Sequence, residues 1–207
     1  MSKYNSFSNI IFDFGGVLLN IDMDRAFKEM QLLGIDDPNI IRQEFEDQGL
    51  FDRLEKGKIT PEEFRFGLRK YLKNGVTDKE IDQAWNSMLL DFPEERLLLL
   101  NELSRSHRLF LLSNTNKIHW DWYTASIKKE HGVWLPDLFE KDFYSFRMGL
   151  RKPDLKIFSD VIDEKDLNPA DTLFIDDTLE NVIAARKVGM NAHFLDLEKG
   201  ETILDLI

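Results

Sequence analysis

Cysteine is absent from the 207-residue sequence, which excludes disulfide bonds, thiol nucleophiles and zinc–thiolate sites. Basic residues are also few: 27 lysines and arginines stand against 38 aspartates and glutamates, for a formal net charge of -11. Because binding to a phosphate backbone needs an excess of positive charge, this balance argues against nucleic acid as the main partner. A small phosphorylated ligand stays compatible with it if the site itself concentrates cations.

Long apolar runs are missing as well. The run of leucines at residues 97–100 is far too short to span a bilayer, and residues 1–9 are polar and lack the apolar segment of a signal peptide. The length suffices for one well-buried core and a smaller appended unit. We therefore expect a globular cytoplasmic protein, monomer or homodimer, without a membrane partner.

Short apolar runs alternate with helical stretches along most of the chain. The runs that are typical of buried strands lie at residues 10–12, 109–112, 143–144, 172–175 and 192–194. The helical stretches that follow begin near Pro93, Ile118, Pro153 and Glu180. Apolar strands separated by helices indicate a parallel sheet with helices packed on each side, and so an α/β fold.

The segment between the first two predicted strands has a different pattern, with helical periodicity and no convincing strand. Thr60 and Thr77 each precede a glutamate by three residues, which is the sequence pattern of a helix capping box. The simplest interpretation is a helical cap inserted after the first strand. We expect a core of residues 1–20 and 92–207 and a cap of residues 21–91.

Polar side chains follow the apolar runs where each predicted strand ends. Asp13 follows the first run, Ser113 the second, and Asp176 and Asp177 the fourth, while Lys152 lies beyond the third. In an open parallel sheet, ligands bind beyond the carboxyl ends of the strands. We therefore expect three carboxylates, a hydroxyl and a lysine to meet at one edge of the sheet.

This set of groups suits phosphoryl transfer. Clustered carboxylates repel one another without a cation, and hard oxygen ligands with open positions favour Mg²⁺. A carboxylate can attack phosphorus to give an acyl phosphate that water hydrolyses. Lys152 would neutralise charge on the transferring group, and Ser113 with nearby backbone N–H groups would hold its oxygens.

Each element alone has an ordinary explanation. A single aspartate at a strand end is usually a turn or cap residue, and an Asp-Asp pair before a helix commonly caps it. Asp13-Phe14-Gly15 is also the metal-binding tripeptide of protein kinases, but no glycine-rich nucleotide loop precedes it here. The prediction rests on the ordered combination of these elements.

The four ordered motifs resemble those of the haloacid dehalogenase-like hydrolase superfamily, over nearly the whole chain, and the helical insertion resembles its small α-helical cap. The resemblance implies a Rossmann-like, doubly wound parallel core in which Asp13 is the nucleophile. It implies catalytic roles for Ser113 and Lys152 and phosphate binding by Ser113, Asn114 and Lys152. It also implies Mg²⁺ bound by Asp13, the backbone carbonyl of Gly15, Asp176 and Asp177.

Gly15 departs from the pattern of the superfamily's phosphatases, which usually carry a second aspartate there as general acid and base. Such help contributes roughly 10²–10⁴-fold to a rate, so the glycine leaves two alternatives open besides a phosphatase. One is a non-catalytic domain that binds phosphorylated ligands. The other is a dehalogenase, which also lacks this aspartate but needs no magnesium and is not expected to retain an Asp-Asp pair.

A narrower similarity concerns Phe12-Asp13-Phe14-Gly15-Gly16-Val17 and the later motifs. Together these strings resemble those of a bacterial subgroup that includes an α-glucose-1-phosphate phosphatase. Since that subgroup also has glycine at the position of Gly15, the resemblance implies an active phosphatase for a small phosphorylated metabolite, such as a hexose-1-phosphate.

Further residues are candidates for roles around the site, although each of them has ordinary packing as the alternative. The candidates for the inner surface of the cap are Phe51, Gly57, Phe64 and Phe66. Trp120 and Trp122 are candidates for the entrance, and His119 is a candidate for a substitute proton donor.

Overall fold

Five parallel strands form one sheet in a computed structural model of the chain, which describes residues 6–35, 37, 44 and 49–206. The strands are β1 (Asn9–Phe12), β2 (Arg108–Ser113), β3 (Lys141–Tyr144), β4 (Thr172–Asp176) and β5 (Asn191–Phe194). Their order across the sheet is β3-β2-β1-β4-β5. The direction of winding therefore reverses between β1 and β4, and their carboxyl ends form the switch point at which ligands bind in such sheets.

The register of the central strands aligns their carboxyl ends. Phe12, the last residue of β1, pairs with Leu111 of β2 and Ile175 of β4. Asp13, the residue directly after β1, donates its backbone N–H to the carbonyl of Ile175 at 2.9 Å. The residues that follow β1 and β4 are therefore neighbours by backbone pairing alone.

Nine α-helices and several short 3-10 turns are found in the described ranges. The helices are α1 (Met23–Leu33), α2 (Leu50–Glu55), α3 (Pro61–Leu68), α4 (Asp78–Asn86), α5 (Glu94–Leu103), α6 (Lys117–His131), α7 (Ser145–Met148), α8 (Leu155–Lys165) and α9 (Leu179–Lys187). The four predicted starts of the core helices lie within two residues of those of α5, α6, α8 and α9. The predicted strands are also confirmed.

Helices cover both faces of the sheet. On one face, Ile10 and Leu111 pack in a cluster with Tyr123 and Ile127 of α6. On the other face, Phe110 and Phe174 pack with apolar side chains of α8 and α9. Because apolar side chains leave water on both faces, the strands consist of almost uninterrupted apolar residues. The predicted doubly wound α/β fold is confirmed.

The helices α1 to α4 pack around a separate apolar cluster between β1 and β2 in the chain. Phe51, Phe64 and Trp85 lie at its centre, with ring centroids 4.6 to 6.2 Å apart. Both predicted capping boxes are present: the hydroxyls of Thr60 and Thr77 accept from the N–H groups of Glu63 and Glu80. These helices are consistent with a cap. Within the described ranges, no helix is long and apolar enough to cross a membrane.

Candidate active site

The carboxyl ends of β1 and β4 bring three carboxylates together. One oxygen from each of Asp13, Asp176 and Asp177 lies within 4.8 Å of the other two. Asp13 and Asp176 are buried, and Asp177 is partly buried. The arrangement follows from the parallel register, which the sequence analysis anticipated for this edge of the sheet.

Lys152 connects two of these carboxylates from the loop before α8. Its Nζ lies 2.7 Å from Oδ1 of Asp13 and 2.6 Å from Oδ2 of Asp176, and its side chain is 1% exposed. Ionised donors and acceptors form the shortest and strongest hydrogen bonds of this kind. The lysine therefore compensates part of the negative charge and fixes the side chains of both aspartates.

Further hydrogen bonds fix Asp176 in its position. Its Oδ1 accepts from the backbone N–H of Thr178 at 2.8 Å and from Nδ2 of Asn181 at 3.0 Å. Because the side chain of Asp176 is fully buried, its oxygens need hydrogen-bond partners within the protein. The bonds from Thr178 and Asn181 satisfy Oδ1, the oxygen that does not face Lys152. Asn181, which the sequence analysis did not assign, thus positions the acidic pair from the first turn of α9.

Burial, together with the negative charge that Lys152 does not compensate, raises the pKa values of Asp13 and Asp177. Burial raises the pKa of Asp13 from 3.8 to about 7; Lys152 lowers it, while Asp176 and Asp177 add to the rise. Burial and the charge of Asp176 raise the pKa of Asp177 to about 6. Burial disfavours the charged form of Lys152, but Asp13 and Asp176 outweigh it and raise the pKa of the lysine. The cluster therefore lacks positive charge, and a divalent cation would supply it.

Gly16 allows the loop after β1 to pass close to the acidic pair. Its φ is +81°, a conformation that L side chains rarely adopt, and a Cβ at this position would collide with the carboxyl group of Asp177. Gly15 is different, because a Cβ there would meet only Ile21, at 3.4 and 3.5 Å. A Cβ is therefore tolerated at Gly15 but not at Gly16.

The loop after β2 completes the site. Ser113 is buried at the end of the strand, and the side chain of Asn114 forms two hydrogen bonds with the backbone of Lys152, both of 2.9 Å. The amide of Asn114 thus holds the loop that carries the lysine, a role that the sequence analysis did not assign. Substrate binding by Ser113, Asn114 and Lys152 stays a prediction.

A cavity of about 120 Å³ adjoins this loop and the loop after β1. Its core side includes Gly15, Ser113 and Asn114. From the segment between β1 and β2 it is lined by Glu55 at the end of α2, Trp85 of α4 and Met88 in the turn after α4. Its lining is mostly apolar. The cavity is smaller than most ligand pockets, but it lies against the loops after β1 and β2, which carry Gly15 and Ser113.

Among the candidates around the site, only His119 lines this cavity. Phe51 and Phe64 are buried in the helix-packing cluster, and Phe66 is 80% exposed. Trp120 packs edge-on against Trp134, and Trp122 lines a separate groove with Arg65 and Asp82. Phe51 and Phe64 therefore pack among the helices and do not face the cavity. The roles of Phe66, Trp120 and Trp122 stay predictions. Gly57 does not line the cavity either; at φ +60°, a Cβ there would collide with the carbonyl oxygen of Phe146.

Glu55 is one of several cavity residues that were not predicted from the sequence, and it is the acidic one among the described lining residues. It ends α2, two residues before Gly57, and one of its oxygens lies 3.2 Å from Nη1 of Arg151 in the lysine loop. In the sequence, the only local indication of a role for Glu55 is its position close to Gly57, a turn glycine between predicted helices. Its place depends on how the cap helices pack against the core.

Comparison with known proteins agrees with this geometry. Residues 7–189 match the family model of the haloacid dehalogenase-like hydrolases. The chain is 33% identical over 181 residues to a D-ribitol-5-phosphate phosphatase of Bacteroides thetaiotaomicron, covering 87% of this chain and 88% of that one. It is also 30% identical over 190 residues to a sesquiterpene phosphatase of Aspergillus oryzae, covering 89% and 88%. The chain therefore belongs to the haloacid dehalogenase-like hydrolase (HAD) family.

Solved structures give the same result. An HAD-family enzyme of B. thetaiotaomicron, in complex with magnesium and inorganic phosphate, superposes with a TM-score of 0.84 at 38% identity, covering 91% of this chain and 93% of that one. A predicted HAD-like hydrolase of Porphyromonas gingivalis superposes with a TM-score of 0.83 at 32% identity, covering 91% of both chains. A dehalogenase at 19% identity, with a TM-score of 0.60, shares the fold.

Proposed function

We propose that this protein is a magnesium-dependent phosphatase that hydrolyses a small phosphorylated polyol or sugar through an aspartyl-phosphate on Asp13. The observation that carries the proposal is the buried cluster of Asp13, Lys152, Asp176 and Asp177 at the switch point of the sheet. The phosphatase names of two relatives support the same chemistry.

The donor set suits Mg²⁺. Three carboxylates, two of them with raised pKa values, supply hard oxygen ligands and an excess of negative charge. Asp13, Asp176 and Asp177 would hold the ion together with the backbone carbonyl of Gly15. Bound there, Mg²⁺ would neutralise charge on the phosphoryl oxygens and keep the aspartates ionised. The solved relative that binds magnesium and phosphate supports this assignment.

The side chains divide the reaction between them. Asp13 attacks phosphorus with the oxygen that Lys152 does not bind, while the lysine neutralises charge on the transferring group. Ser113 and the N–H groups of its loop hold the phosphoryl oxygens. Asp176 keeps the lysine in place through their 2.6 Å hydrogen bond. Water then hydrolyses the aspartyl-phosphate and releases inorganic phosphate.

The substrate class is inferred from the relatives. A relative named for D-ribitol-5-phosphate makes a primary phosphate of an open-chain polyol the first candidate. Hexose-1-phosphate, suggested by the sequence resemblance, is the second. We also propose that residues 21–91 form the cap over a core of residues 1–20 and 92–207, since Trp85, Met88 and Glu55 line the cavity from that segment.

Hydrolysis of p-nitrophenyl phosphate by the purified protein tests the proposal. We expect turnover that requires Mg²⁺, stops with EDTA and is abolished by Asp13→Asn. Asp160→Asn is the matched control, because it removes a carboxylate that pairs with Lys156 on the surface and should leave activity unchanged. Robust turnover in EDTA or in Asp13→Asn would reject the proposal. A protein without turnover that is still stabilised by sugar phosphates would instead be a binding domain.

The substrate is tested by comparing D-ribitol-5-phosphate, glucose-1-phosphate and glucose-6-phosphate at equal concentrations. Their kcat/KM values rank the candidates, because this ratio measures discrimination between substrates. We expect the highest value for D-ribitol-5-phosphate. A higher value for glucose-1-phosphate would favour the hexose-1-phosphate hypothesis and leave the magnesium-dependent chemistry unaffected.

A further inference from the structure

Within the described part of the chain, the cluster of Asp13, Lys152, Asp176 and Asp177 leaves no group free to protonate the leaving alcohol. Lys152 is engaged with Asp13 and Asp176, and Gly15 offers no side chain where related phosphatases carry an acid. An alkoxide is a poor leaving group, so hydrolysis of a polyol phosphate needs a proton donor in the cavity. An acid that serves this step must therefore line the cavity next to Gly15.

Glu55 is the only carboxylic acid among the described residues that line this cavity. Its Oε2 is buried and lies 3.2 Å from Nη1 of Arg151, but it accepts no hydrogen bond. The ion pair with Arg151 supplies charge without a directed hydrogen bond, so this oxygen can still accept a proton or a hydrogen bond from a ligand. The side chain thus presents a site for a proton in the space that the leaving group would enter.

The charged groups around Glu55 leave it with an increased proton affinity. Burial raises its pKa most; Arg151 lowers it, Asp52 raises it, and Lys56 and Lys152 lower it. The net pKa is above the ordinary value of 4.5. Catalytic acids in proteins are commonly tuned in this direction by burial.

His119, the other titratable candidate of the cavity that the sequence suggested, is unsuited to this task. Burial lowers its pKa to about 3, with a smaller opposing effect from a hydrogen bond with the backbone of Trp85, so the imidazole is neutral near pH 7. The ring stacks on Trp85 with centroids 4.6 Å apart. A neutral imidazole can hydrogen-bond a substrate hydroxyl, but it has no acidic proton to give to an alkoxide.

We propose that Glu55 is the general acid and base that takes the place of the missing aspartate at Gly15, an inference that rests on the proposed phosphatase function. As the bond between Asp13 and phosphorus forms and the ester P–O bond breaks, the Glu55 carboxyl gives its proton to the leaving oxygen. The resulting carboxylate then takes a proton from the attacking water as the aspartyl-phosphate breaks. The cycle converts ester and water to alcohol and inorganic phosphate and regenerates Glu55.

The test compares esters whose leaving groups differ in acidity. Glu55→Gln is assayed with p-nitrophenyl phosphate, whose phenol leaves as its anion, and with D-ribitol-5-phosphate, glucose-6-phosphate and glycerol-3-phosphate as alkyl esters. We expect kcat on the alkyl esters to fall by roughly 10²-fold or more and kcat on the aryl ester to change only a few fold. The control is Glu29→Gln, on the exposed surface of α1, which should change neither.

Two further variants separate proton donation from a structural effect. Glu55→Asp keeps a carboxylic acid and should recover part of the alkyl rate. Gly15→Asp in the Glu55→Gln background places an acid where a Cβ has room, and should raise the ratio of alkyl to aryl turnover. An equal loss on both ester types, or no loss on the alkyl esters, would overturn the proposal. Wild-type protein without turnover on any ester would instead refute the proposed function itself.

Discussion

Replacing Lys152 with methionine would leave two buried carboxylates without their cation. The lysine Nζ lies 2.7 Å from Asp13 and 2.6 Å from Asp176, and the side chains of the three residues are 1%, 12% and 0% exposed. Water therefore cannot replace the ammonium group. Methionine has a similar length and no charge, so the change removes the charge while leaving most of the volume filled.

The expected loss of stability is large. Breaking a buried ion pair by removing one partner costs about 3–5 kcal/mol. For a chain of this size, about 1 kcal/mol corresponds to roughly 2–4 °C in Tm, so the melting temperature should fall by about 6–20 °C. The loss should depend on pH. Since Lys152 lowers the pKa of Asp13, its removal raises that pKa above the value of about 7, and the aspartate stays protonated to a higher pH.

The sign of the pH dependence follows from linkage. A carboxyl with a raised pKa in the folded state binds more protons folded than unfolded, so stability falls as pH rises through that pKa. The difference between wild type and Lys152→Met should therefore be larger at pH 8 than at pH 5.5. Urea unfolding in EDTA at both pH values measures it without interference from bound metal.

Lys156→Met is the matched control, because Lys156 and Asp160 also lie 2.6 Å apart but are 66% and 37% exposed. An exposed helical pair of this spacing contributes only about 0.3–0.5 kcal/mol. A loss below about 1 kcal/mol for Lys152→Met, or equal losses at both pH values, would refute the reasoning that burial decides the difference.

Three other outcomes follow from the site. Since burial raises the pKa values of Asp13 and Asp177 to about 7 and about 6, protons compete with Mg²⁺, and the calorimetric Kd should rise about 20-fold from pH 8 to pH 6; a constant Kd would contradict this. Gly16→Ala should weaken Mg²⁺ binding at least tenfold in the same titration because its Cβ collides with Asp177, whereas Gly149→Ala, also at positive φ but with no atom within 4 Å, should not. Asn114→Ala removes two hydrogen bonds to the backbone of the lysine loop and should destabilise the protein by about 1–3 kcal/mol in urea unfolding. It should also lower kcat on p-nitrophenyl phosphate, and an unchanged kcat would argue against a positioning role for Asn114.

The part of the site that belongs to the sheet was predictable because parallel strands have few degrees of freedom. Apolar runs locate β1 and β4, and pairing aligns their ends, so Asp13 and Asp176 meet wherever the helices lie. Asn114 shows where such reasoning ends. Its position after β2 was evident, but its two bonds to Lys152 join residues 38 positions apart, and no local pattern encodes them.

The cap shows the same limit more strongly, because its helices are predicted by local signals and its contacts are not. The capping boxes at Thr60 and Thr77 define where α3 and α4 begin, yet which side chains face the core depends on how four helices pack around Phe51 and Phe64. Large aromatic residues are drawn to that packing because they bury the most apolar surface. The surface left for the cavity then includes the end of α2, where Glu55 projects.

This division between core and cap has a consequence for the evolution of activity. Backbone register in the core brings Asp13, Asp176 and Asp177 together, so we expect most substitutions in the cap helices to leave this cluster in place. If Glu55 supplies the proton for the leaving group, one catalytic step depends on the same helices that would contact the substrate. A change in cap packing that moved Glu55 would therefore alter the leaving groups that the enzyme accepts before it altered the hydrolysis of an activated ester.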